Sequence, residues 1–86
     1  MREPDPKILR AVFREVVENQ LRDDDPPETR QTFDRLLAEG HPEEEVWRMI
    51  STVVAAEVFE TMKTNRPADN ERYVRRLRAL PVLPSE

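Results

Sequence analysis

An all-α, compact bundle of four helices is the fold this chain predicts, on three observations. Its eight prolines fall in five groups and leave four proline-free segments between them. Within each segment apolar residues recur at three- and four-residue spacing, and no stretch alternates with a period of two over a useful length. The single glycine, Gly40, stands just past one of those segments. Proline is disruptive inside a helix but tolerated in its first turn, where its missing N–H would have had no partner. The prolines therefore read as start and stop marks, for helices at about 6–21, 26–39, 42–63 and 69–80.

The first helix begins at Pro6 with Asp5 as its cap. Ile8, Leu9, Val12, Phe13, Val16, Val17 and Leu21 make one broad apolar face. Asp23-Asp24-Asp25 before Pro26-Pro27 ends it, since short carboxylates compete for the backbone and a residue before proline avoids the helical region. In the second helix Asp25 is the expected cap, with Pro26 in the first position and Glu28 completing a capping box. Phe33, Leu36 and Leu37 form its stripe, and Gly40 suits a left-handed residue past its end.

The third helix places Pro42 in its first turn and Glu43-Glu44-Glu45 where the helix dipole favours acidic groups. Val46, Trp47, Met49, Ile50, Val53, Val54, Val58, Phe59 and Met62 make it apolar around most of its circumference. Such a helix belongs at the centre of the bundle, or partly in a subunit interface. The last helix carries Tyr73, Val74, Leu77 and Leu80 on one stripe, with Arg72, Arg75, Arg76 and Arg78 expected to face outward. Residues 1–5 and 81–86 are expected to be flexible ends, Val82 and Leu83 folding back if they pack at all.

Composition excludes several classes of function. At 86 residues there is room for one domain, with a thin core. Without cysteine there is no disulfide, no thiolate zinc site and no thiol nucleophile. One histidine, His41, rules out histidine clusters within a chain, and its place between Gly40 and Pro42 makes it a turn residue. No metal or cofactor is expected, and no catalytic group. No apolar run approaches the roughly 18–20 residues of a membrane span, and the first residues lack a signal peptide's apolar region, so a cytoplasmic protein is expected. The balance of 14 basic to 18 acidic residues argues against the whole domain binding nucleic acid.

Three groups remain as candidates. Glu57 shares a stripe with Val46, Ile50 and Val53, so it is a candidate buried carboxylate: an acid/base or ligand-anchoring group, half of an ion pair with an arginine of another helix such as Arg14 or Arg35, or an exposed edge position. Trp47, Met49, Val58, Phe59 and Met62 are candidate interface residues, because few helices of this size can cover every side of the third. Arg72, Arg75, Arg76 and Arg78 could meet phosphates, although five arginines against three acids from Thr64 onward is a small local excess.

Asn19-Gln20-Leu21 followed by Asp25-Pro26-Pro27, then Leu36 to Gly40 before Glu43-Glu44-Glu45, and lastly Tyr73, Leu77 and Leu80-Pro81, resemble a bacterial family of small helical proteins. It is described only as domain of unknown function 1841. The resemblance spans Pro6 to Pro81 and implies a helical fold with no activity attached. Longer members carry histidines in the first helix and at the opening of the third, where this chain has Leu9, Phe13 and Trp47; by that comparison a polar site has become packed core. The expected function is a protein–protein interaction or accessory module, homodimeric through its first and third helices. The alternative is a nucleic-acid-associated module using the arginines of the last helix.

Overall fold

The computed structural model describes residues 6–67 and 69–84, and among them the chain is four helices and their connections. These are α1 (Pro6–Asp23), α2 (Pro27–Ala38), α3 (Glu43–Thr64) and α4 (Asn70–Ala79). α3 packs against the other three, as its apolar circumference requires, and α2 also touches both α1 and α4. α1 and α4 are not packing neighbours. The core is built on Val17 of α1, Phe33 and Leu36 of α2, Ile50 and Val53 of α3, and Leu77 of α4, closed by Leu80. α1 is less covered than its broad apolar face predicts: Ile8 and Val12 lie in solvent. Val82 and Leu83 are exposed as well, so they do not fold back onto the bundle.

The helix ends differ from expectation where two prolines or a cap residue compete. Pro27 forces the residue before it out of the helical region, so Pro26 is extended, at φ −76° and ψ 151°. Pro26 therefore becomes the N-cap, and neither Asp25 nor the expected capping box supplies a side-chain cap. Pro42 likewise caps α3 from outside, at φ −60° and ψ 145°, and its carbonyl accepts from the N–H groups of Glu45 and Val46. Asp69 sits one residue before α4, and its carboxylate accepts the Arg72 N–H at 3.1 Å. The expected cap of α1, Asp5, lies outside the described residues. The Asp25–Pro26 and Leu80–Pro81 peptide bonds are cis.

The end of α2 matches the role expected of Gly40. Its φ is +95°, its N–H donates to the Leu37 carbonyl, and the His41 N–H donates to the Leu36 carbonyl. These are the two bonds of a Schellman motif. A β-carbon at Gly40 would meet no atom within 4 Å, so substitution is penalised by backbone strain and not by collision. Gly40→Ala should lower stability by about 1–2 kcal/mol, read from thermal melting, and an unchanged melting temperature would contradict the strained turn. Arg35 performs a related service for α4. Its guanidinium donates to the carbonyls of Leu77 at 3.2 Å and Leu80 at 2.9 Å, satisfying groups that a helix end leaves without partners.

Candidate interaction surface

Glu57 is buried, with 7% of its surface exposed. It lies on the α3 stripe that also buries Val46, Ile50 and Val53, where an unpaired carboxylate would be costly. Its partners are neither Arg14 nor Arg35. Arg72 donates to it through Nε, at 3.1 and 3.2 Å to the two oxygens, and through Nη2 at 2.9 Å to Oε2. Arg76, one turn along α4, donates from Nη1 to Oε1 at 2.8 Å. Both arginines expected to face outward are thus turned inward. They lie on the flank of α4 nearest α3, and a buried carboxylate within reach repays their desolvation. Hydrogen bonding to Glu57 raises the Arg72 guanidinium above its ordinary value, against the opposing effect of burial.

This geometry leaves Glu57 poorly placed for acid–base work. Both oxygens already accept guanidinium N–H groups, so abstracting a proton from a substrate would require breaking the cluster. Arg14 and Arg35 are engaged elsewhere. The Arg14 guanidinium lies 4.5 Å from the centre of the Trp47 ring, and Arg35 caps α4.

A second polar node was not anticipated from sequence. The side-chain carbonyl of Gln20 on α1 accepts two hydroxyls at 2.7 Å, from Thr29 on α2 and from Tyr73 on α4. It ties α4 to α1 although those helices do not pack on each other. Burial pushes the Tyr73 phenol above its usual value, with a smaller push from Glu57, while hydrogen bonds to Thr29 and Gln20 pull it down. The folded chain therefore holds that proton where the unfolded chain has begun to release it. Stability should be unaffected by this group below about pH 10 and fall as pH rises beyond it. Tyr73 is the only tyrosine, so its absorbance reports the titration directly. Tyr73→Phe should cost about 1 kcal/mol at neutral pH and remove this part of the alkaline loss. An ordinary titration midpoint in the folded chain would contradict the buried phenol.

A cleft of ≈ 200 Å³ opens beside Tyr73, lined also by Gln20, Val54, Glu57, Val58, Asp69 and Asn70. Glu57 there is bound by two arginines, and Asp69 caps α4. Among the described residues no three histidine, cysteine, aspartate or glutamate side chains come together as a metal site. No described helix is long and apolar enough to cross a membrane.

The five candidate interface residues separate into two groups. Met49 is buried in the core, and Trp47 is half-buried, its ring edge-on to Phe33 at 5.2 Å with Arg14 over its face. Met49 is thereby closed to a partner, while Trp47 is covered in part by Phe33 of α2 and Arg14 of α1. Val58, Phe59 and Met62 remain open in the second half, Phe59 with 53% and Met62 with 72% of its surface exposed. Phe13 of α1 meets Phe59 edge-on, ring centres 6.2 Å apart. α1 also carries Ile8 and Val12, 62% and 48% exposed. The exposed apolar groups of α1 and of the end of α3, on two helices that meet at Phe13 and Phe59, are together called the seam.

The outer face of α4 is different in character. With Arg72 and Arg76 turned inward, Arg75 and Arg78 remain exposed, in a shallow groove that also holds Glu28 and Glu71. Alternating signs there give no stretch of positive potential for a phosphate backbone. No protein-family model, curated protein or solved structure matches the chain.

Proposed function

We propose that this chain is a protein-interaction module whose docking surface is the seam of Ile8, Val12, Val58, Phe59 and Met62. The observation that carries the reading is the exposure of these side chains on two helices that meet through Phe13 and Phe59, in a chain whose other large apolar groups mostly close a core. Large connected apolar patches are uncommon on proteins that act alone and mark contact sites on those that do not. The triad at Glu57 and the node at Gln20 serve this function indirectly, by holding α4 in place so that the bundle presenting the seam stays folded.

A photo-crosslinking amino acid placed at position 59 or 62 in living cells tests the reading. Adducts should form there and be sparse with the same group at positions 48 and 78. Equal or absent crosslinking at 59 and 62 would remove it. Binding to nucleic acid through α4 is the weaker alternative, since two of its four arginines are occupied by Glu57. Retention on immobilised DNA should be negligible at physiological salt, whereas a steep salt dependence would favour that alternative.

A further inference from the structure

We infer that the occupant of the seam is a second copy of this chain, related to the first by a two-fold axis that lays α1 of each copy on the exposed end of α3 of the other. The inference rests on the seam being the interaction surface. Two features point to self-pairing in particular. The first is charge. Glu15 lies one helical turn from Val12, and Lys63 lies one turn from Phe59 and beside Met62, so one wall of the seam has an acidic edge and the other a basic edge. Both are exposed, and among the described residues neither forms an ion pair within its own chain. A two-fold axis is the arrangement that turns such a surface onto itself, each Glu15 facing the other copy's Lys63.

The second feature is area. On ordinary side-chain areas the five apolar residues leave about 500 Å² exposed per copy, so pairing two copies removes about 1,000 Å², the lower bound for a specific interface. A reversible dimer follows, not an obligate one. Its apolar centre would hold five exposed groups per copy, with the charged residues at the rim, which is the usual anatomy of such contacts.

Sedimentation equilibrium of the purified chain, from low micromolar to millimolar concentration, tests this. The native sequence should pass from monomer to dimer across that range. Met62→Glu should raise the dissociation constant about tenfold or more without moving the melting temperature, because Met62 takes no part in the core. Glu15→Lys and Lys63→Glu should each weaken the dimer roughly three- to tenfold, and the two together in one chain should restore it. A strict monomer at millimolar concentration would overturn the second copy. So would a dimer indifferent to Met62→Glu, or a double charge exchange no better than the single ones. A monomer that still crosslinks other proteins through position 59 would overturn self-pairing and leave the seam's role standing. Absence of crosslinks at 59 and 62 would remove that role too.

Discussion

Replacing Glu57 with alanine should lower the stability of the chain by about 2–3 kcal/mol, the larger part of what breaking a buried ion pair costs. The figure lies below the usual 3–5 kcal/mol because the arginines on either side retain a quarter or more of their side-chain surface and can turn toward water. For a domain of this size the melting temperature should fall by about 10–20 °C. Replacing the whole cluster with apolar side chains, Glu57→Leu with Arg72→Leu and Arg76→Met, should recover most of the loss, since no charge is then left in the interior. Chemical unfolding of the two variants separates the explanations. If Glu57→Ala alone were silent, the carboxylate would not be the group that seats α4.

Ile50→Ala should cost about 3–4 kcal/mol, the loss expected when a fully buried isoleucine leaves a cavity. Against a total stability on the order of 4–13 kcal/mol for 86 residues, that is between about a quarter and all of what holds the fold. The contrast with the same helix three turns later is the useful part. Met62→Ala, on the exposed end of α3, should change stability by less than about 0.5 kcal/mol. Denaturant midpoints for the pair measure how far the core extends along α3. Equal effects would mean that the exposed end is packed after all, and the seam would lose its basis.

The helices themselves were legible in the sequence, because proline and glycine act through local geometry that no distant contact overrides. Pro67 beyond α3 and Gly40 beyond α2 do what their covalent structure dictates. The differences at the starts of α2, α3 and α4 are of one residue, each because the expected first residue is the cap. A proline that begins a helix cannot also leave its predecessor helical, so Pro26 becomes a cap. Burial of Glu57 was legible too, since its stripe is otherwise apolar.

What could not be read was which cation would reach Glu57. Helical spacing places Arg72 and Arg76 on one flank of α4, but only the packing angle of α4 on α3 decides whether that flank faces water or a carboxylate. The Gln20 node does have a signal in the sequence. Gln20 follows Val16 and Val17 at four and three residues, so an amide lies on the apolar face of α1. Thr29 and Thr32 precede Phe33 and Leu36 in the same way on α2, and both threonines are buried. Polar groups at such positions need partners, and here Gln20 and Thr29 find one another. The seam was half visible. The breadth of the α3 apolar surface marks Phe59 and Met62, whereas helical spacing places Ile8 and Val12 on the apolar face of α1, which is too broad to be covered in full.

That this chain pairs with itself through the α1–α3 seam is tested most directly by NMR, on dilution of a methyl-labelled sample from millimolar to micromolar concentration. The methyl signals of Ile8, Val12, Val58 and Met62 should move with concentration, while those of Val46, Ile50, Val53 and Leu77 stay fixed. Concentration-dependent shifts confined to Val74, Val82 or Leu83, with the seam unmoved, would contradict the claim.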